Sequence, residues 1–564
     1  MDLITENDAR TPGNRGDRAE ALLLALASSA RPRAWHLALA LILCSPILAL
    51  LAFARDLTIN HTYHDIFIPL DAAWRTLQGQ WPHTDFFSPV GLAYFWQHGA
   101  AAWLWGMNSR LASRASFIAL PFVLVPAAMY AWRRLNAFST VLLLVFLTIL
   151  VVSPIFLDGP ERLVAYLANY NRLGSALCAV AALWALAAPR GHSTAWDLAD
   201  AAAMGITLLI LAFLKITFFA LALAMVATGC VVSPRLWRPA LVAGIILAIG
   251  TIAVELAHHG ILVAYAADLR RAAAASTAAF RGFYTSQAIF ANLVPVAVIL
   301  AMSAAAAWIA PRQRWALAGI VGVAAACVLV STQNYGGFSA PLIVLVMLLA
   351  ERLQAGDGTG RFLTTRPQLA TAGLFATVMA TLPFLLTQVI GTVNQARLNR
   401  SQGVVVGNGR SDVLRDMVWL SHPLENQQIP KGVTNEEVLK WNPFIPYDIT
   451  NAILTDGLML LQRDRLTNLS IANLSFSNPF PAALHAPSPR GVALWWDEGR
   501  TFNPKLLTAA MALGDAEVVM VPKLWSFYYN VTGLLSVAQG TLDKDFTPHE
   551  SQYWTAWVKK QGTP

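Results

Sequence analysis

Residues 61–94 read HTYHDIFIPLDAAWRTLQGQWPHTDFFSPVGLAY, which sets three carboxylates, Asp65, Asp71 and Asp85, among aromatic and apolar neighbours. A carboxylate so placed can take a proton from a hydroxyl, cap the helix that follows it, or simply face water. Further on, Leu157-Asp158-Gly159-Pro160-Glu161-Arg162 offers two more acids, of which Glu161 can equally pair with Arg162. Lys215 stands in the run Leu211-Ala-Phe-Leu-Lys-Ile-Thr-Phe-Phe219. A lysine there is costly in hydrocarbon and needs an anion or an aqueous pocket, unless its stem carries the charge out to the interface. Arg270, Arg271 and Arg281 follow; such side chains fork onto phosphate oxygens or meet anionic lipid headgroups. Displacing a sugar from a phosphate needs this combination, a carboxylate near the acceptor and cations near the leaving group.

The elements that hold these residues are membrane helices. Over 564 residues the chain is 56% hydrophobic and 13% charged, against about 25% charged in ordinary soluble domains. Uncharged runs approach the ~20 residues that cross a bilayer. The net charge of +8 does not indicate nucleic acid, because the arginines sit in short clusters beside apolar runs: Arg133 and Arg134, Arg235 and Arg238, Arg312 and Arg314. That is the bias of cytoplasmic loops, not a phosphate-tracking stripe.

The N-terminal tail, residues 1–33, carries five arginines and is expected in the cytoplasm. No cleavable leader is read there, since the first apolar run is long enough to remain as an anchor. The spans expected are Ala34–Ala54, Phe117–Trp132, Val141–Phe156, Leu173–Ala188, two within Ala201–Val232 that turn at Lys215, Leu241–Leu256, Leu293–Ala310, Trp315–Val330, Ala340–Leu349 and Leu369–Ile390. Val90–Met107, aromatic and interrupted by Gln97, His98 and Gly99, is expected to lie in the interface. About eleven transmembrane helices result, within residues 34–391. Segments 55–89, 157–172 and 258–287 then share the outer face with residues 392–564.

That last stretch has the composition of a water-exposed domain. Ile449–Leu461 has helical spacing, Leu469–Phe476 and Val492–Trp496 look like strands, Leu506–Leu513 a helix, and Glu517–Val521 a buried strand ended by Pro522. The alternation predicts a small soluble α/β domain. Cys44, Cys178, Cys230 and Cys327 all lie in or beside apolar runs, so no disulfide framework or zinc spacing exists there. Nor is a nucleotide fingerprint present.

Residues 61–94 resemble the first outer loop of the GT-C glycosyltransferases, in particular the lipid-phosphate-sugar users akin to protein O-mannosyltransferases and the aminoarabinose transferases. An acid follows the first span, a short helix ends at Gly79, and Pro82-His-Thr-Asp-Phe-Phe-Ser-Pro-Val-Gly91 is similar to the family's P-Y-x-D-F-x-x-x-x-G-P, with Leu92 in place of the last proline. The resemblance implies that Asp65 is the general base, with Asp71 and Asp85 behind it and Asp85 the better loop anchor. It implies that Asp158, or Glu161, touches the acceptor or a metal, and that Lys215 contacts the lipid phosphate, helped by Arg270, Arg271 and Arg281.

The function implied is transfer of a sugar, with inversion, from a polyprenyl-phosphate donor to an outer-face glycan, lipid or protein in a bacterial inner membrane. No cofactor is indicated, and a divalent metal finds no supporting ligand set, since the adjacent His258 and His259 point apart. The Asn-x-Ser/Thr triplets at Asn60, Asn468, Asn473 and Asn530 read as incidental in a chain of bacterial composition. Two other classes stay open: an O-antigen-type polymerase or ligase, whose arginines concentrate in a late outer loop, and a non-enzymatic transporter of lipid-linked glycan. Against the transporter stands the lack of an inverted repeat.

Overall fold

The computed structural model describes residues 31–59, 63–157, 164–167, 169–187, 189, 191, 193–276, 278–309, 314–333, 337–354, 367–397, 403–420, 447–523 and 531–560. The membrane part runs α1 (Ala34–Phe53), α2 (Phe67–Leu77), α3 (Leu92–Trp105), α4 (Leu111–Arg134), α5 (Ala137–Val152), α6 (Asn169–Leu186) and α7 (Thr194–Leu214). It continues with α8 (Ile216–Val232), α9 (Trp237–Ala257), α10 (Ile261–Ala275), α11 (Ala278–Ile309), α12 (Arg314–Ser331), α13 (Ala340–Gln354) and α14 (Pro367–Arg397). Among the described residues each segment expected to span is helical over most of its length, although the one expected over Val141–Phe156 stops at Val152.

Among the described residues seven helices are long and apolar enough to cross a bilayer: α1, α4, α7, α9 with the turn before it, α11, α12 and α14. The chain is a multi-pass membrane protein. Helices α5, α8 and α13 are apolar but shorter, so a count of eleven spans is not established. Along α9, Leu241, Ile245, Ile249, Ile252 and Leu256 are exposed at three- and four-residue spacing, the signature of a face turned to lipid tails. Helix α6 is the opposite case: it is buried throughout and forms the centre of the bundle. Close packing there rests on small residues. A Cβ on Gly174 would strike the Phe218 ring, and one on Gly229 would strike the Ala185 carbonyl.

The break at Lys215 is a single extended residue, φ −161° and ψ 121°, between α7 and α8. Gly91 docks on it. Its amide donates to the Leu214 carbonyl at 3.0 Å, and any side chain would collide with the Phe213 carbonyl. The glycine of the loop motif therefore seats the outer loop against the turn that carries Lys215.

After α14 come β2 (Gly403–Val405), β3 (Met417–Leu420), α15 (Tyr447–Arg463), β4 (Ile471–Asn473), α16 (Phe480–Leu484), α17 (Ala509–Leu513), β5 (Val518–Pro522), α18 (Val531–Asp545), β6 (Phe546–Glu550) and β7 (Trp554–Lys559). One sheet has the order β4-β5-β7-β6, with β4 and β5 parallel and the other pairs antiparallel. The helix at 449–461 and the strand at 517–521 fall where expected.

Three features differ. The strand expected over 469–476 has only three residues. Val492–Trp496 joins neither sheet; Phe87 takes that edge instead, donating to the Val492 carbonyl at 2.9 Å and accepting from the Leu494 amide at 3.0 Å. The boundary at 392 does not enclose the domain's core either. Strand β1 (Leu57–Ile59), from the first outer loop, pairs in parallel with β3, and Leu57, Ile59, Phe67 and Leu70 pack in one cluster with Met417, Leu458, Phe480 and Val518. Burial of apolar surface drives the loop and the domain into a single body.

Candidate functional site

Asp65 lies on a one-turn 3-10 helix, Tyr63–Ile66, between β1 and α2. It is 9% exposed, and its Oδ1 is 3.1 Å from His64 Nε2. His64 in turn sits edge-on to Phe476 of the C-terminal domain, ring centroids 4.6 Å apart. Lys215 reaches the same region from the membrane side. Its Nζ donates to Asn171 Oδ1 at 3.2 Å and stands 4.9 Å from the centroid of the Tyr170 ring, a cation–π distance.

The third contribution is one that the sequence reading missed. In Trp495-Trp496-Asp497-Glu498-Gly499-Arg500, Arg500 Nη1 pairs with Asp497 Oδ2 at 3.1 Å. Asp497 is held above the usual carboxylate range, chiefly by burial and also by the negative charge of Asp65, against the pull of Arg500 and His64. Arg500, Asp65 and Asp497 all act electrostatically on Tyr170, and Arg500 acts on Lys215. Lys215 thus overlies Tyr170, and Asp65, Asp497 and Arg500 lie within electrostatic range of the same tyrosine. Only the local signal, an acid and an arginine three apart in a turn after two tryptophans, was legible.

Asp71 and Asp85 are placed differently. Asp71 is 1% exposed; its Oδ2 accepts from Arg75 Nε at 2.9 Å and its Oδ1 from Ser488 Oγ at 3.4 Å. Burial raises its pKa despite the arginine. Arg75 also donates to Gln80 Oε1 at 3.0 Å and to the Pro489 carbonyl at 2.7 Å, and its guanidinium lies over the Phe86 ring. Through Arg75 and Ser488 this ion pair ties the loop to the domain, and both carboxylate oxygens of Asp71, the second choice of base, are engaged in it. Asp85 accepts from the Trp81 amide at 2.7 Å and pairs with Arg490 at 3.3 Å.

Arg270 and Arg271 are exposed on α10. Arg271 faces Asp268 at 3.7 Å and sits 6.0 Å from the centroid of the Phe87 ring; neither arginine is placed beside Lys215 by any of these contacts. Asp158, Glu161 and the side chain of Arg281 lie outside the described residues. Among the described residues no three His, Cys, Asp or Glu side chains group as metal ligands.

No protein-family model matches the chain, and no curated protein matches it. Among solved structures it is similar to ArnT from Cupriavidus metallidurans in the apo state, with 11% identity over 97% of this chain and 98% of that one and a TM-score of 0.46. It is likewise similar to the crystal structure of ArnT from Cupriavidus metallidurans bound to undecaprenyl phosphate, with 12% identity over 93% of this chain and 98% of that one and a TM-score of 0.47.

Proposed function

We propose that this chain is a membrane glycosyltransferase that moves a sugar from a polyprenyl-phosphate donor to a hydroxyl of an outer-face glycan, lipid or protein. The observation that supports the reading is that Tyr170, whose ring Lys215 overlies at 4.9 Å, also feels the charge of Asp65, a carboxylate only 9% exposed. Asp65 takes the proton of the acceptor hydroxyl as its oxygen attacks the anomeric carbon from the face opposite the leaving group. The bond from that carbon to the phosphate oxygen breaks, and the phosphate keeps the electron pair. Lys215, assisted by Arg500, meets the charge that develops on it in a site of low dielectric. The configuration at the anomeric carbon inverts.

The positive-inside pattern supports a cytoplasmic N-terminus in a bacterial inner membrane, with the C-terminal domain in the periplasm. In this reading Asp158 or Glu161 contacts the acceptor, and Arg270, Arg271 and Arg281 hold the lipid phosphate on its way in.

Incubating the purified protein in nanodiscs with a synthetic prenyl-phosphate sugar tests the class of function. Release of prenyl phosphate with sugar bound to an acceptor or to water supports transfer. In proteoliposomes, movement of intact donor across the bilayer with no release of prenyl phosphate would assign a transporter instead.

A further inference from the structure

Helix α3 carries polar atoms that the scheme above leaves unused. The hydroxyl of Tyr94 is enclosed, with the residue 0% exposed, and it has no hydrogen-bond partner. Such a group is costly to keep and calls for an explanation. Its surroundings supply one. The Tyr94 ring packs at right angles to Tyr170, centroids 5.9 Å apart, on the same tyrosine that Lys215 overlies. The hydroxyl is within electrostatic reach of Asp65. It therefore lies beside the tyrosine that Lys215 overlies and that Asp65 also acts on, next to where the sugar must sit if the carboxylate takes the acceptor proton and the lysine holds the leaving phosphate. Burial raises the phenol well above its ordinary range, so it stays protonated and can donate.

We infer that Tyr94 is a substrate-binding residue whose hydroxyl hydrogen-bonds a hydroxyl of the transferred sugar, an assignment that rests on the reading of the chain as a sugar transferase. The phosphate is met by Lys215, so Tyr94 senses the sugar and not the lipid phosphate.

Tyr94→Phe separates these roles. Binding of a prenyl-phosphate sugar and of prenyl phosphate alone is measured for both proteins in nanodiscs, together with the thermal unfolding midpoint. The variant is expected to bind the sugar-bearing lipid roughly three- to tenfold more weakly, to bind prenyl phosphate as before, and to unfold at the same or a higher temperature, because an unpaired buried hydroxyl has been removed. Equal weakening for both lipids would move Tyr94 to the phosphate and overturn the inference. So would unchanged binding of both, or a lowered midpoint, which would make the hydroxyl part of the fold. If the wild-type protein binds neither lipid, the transferase reading itself falls, a result distinct from the others.

Discussion

Replacing Arg75 with methionine removes one half of a fully enclosed ion pair. Arg75 is 0% exposed and Asp71 1%, and Asp71 would be left with Ser488 Oγ at 3.4 Å. Stranding a buried charge in this way costs about 3–5 kcal/mol. At roughly 2–4 °C per kcal/mol for a unit of this size, the unfolding midpoint of the C-terminal body should drop by roughly 6–20 °C in detergent. The double variant Asp71→Leu with Arg75→Met leaves no charge behind, so it should recover at least half of the loss. Circular dichroism melts of both single variants and the double variant measure this. Single variants within about 0.5 kcal/mol of wild type, or a double variant as damaged as the sum of the two, would show that the pair does not hold the loop to the domain. Asp71→Asn, assayed well below its own midpoint, should retain turnover, since the carboxylate is structural here.

A fragment from residue 394 onward should give no cooperative melt, because it lacks β1, Phe67 and Leu70 of the shared core; adding back the loop as part of the full chain should restore one. Arg500→Ala should weaken donor binding by about tenfold or less, since Arg500 is shared with Asp497 at 3.1 Å and part-exposed pairs are screened; an unchanged Kd would leave Lys215 as the sole cation. In spheroplasts, a cysteine placed at the exposed Lys505 should react with an impermeant reagent before permeabilisation and one placed at the exposed Arg235 only after it, and the reverse order would invert the topology.

The membrane part was legible because its signal is coarse. A run of apolar residues reports a helix whatever it packs against, and Lys215 inside such a run marked the turn, since a charge in hydrocarbon must reach water or a partner. Strands of three residues, such as β1 and β4, are too short for alternation to show. Val492–Trp496 has a strand's composition, yet it pairs with Phe87, some four hundred residues away in the chain, as well as with Phe476 and Ser477, and no local pattern encodes the pairing with Phe87. The same holds for the site. Asp65 and Lys215 could be picked out singly, by loop motif and by the cost of a buried charge. Asp497 and Arg500 are ordinary polar residues until folding carries them to Tyr170. Asp71 could have been read better, since an arginine four residues on in a helix is a ready partner.

Single-turnover transfer with pre-bound donor, run beside donor binding on Asp65→Asn and Lys215→Ala, tests the central claim most directly. Asp65→Asn keeps the size and hydrogen bonding of the side chain but not its basicity, so turnover should fall by ~10²–10⁴-fold with donor affinity near normal. Lys215→Ala removes a charge-assisted contact, so donor affinity should weaken by about 1.5–3 kcal/mol, roughly ten- to two-hundred-fold. If Asp65→Asn turns over like the wild type while Asp85→Asn or Asp71→Asn is dead, the base has been assigned to the wrong carboxylate; if none of the three matters, the chain is not a transferase of this kind.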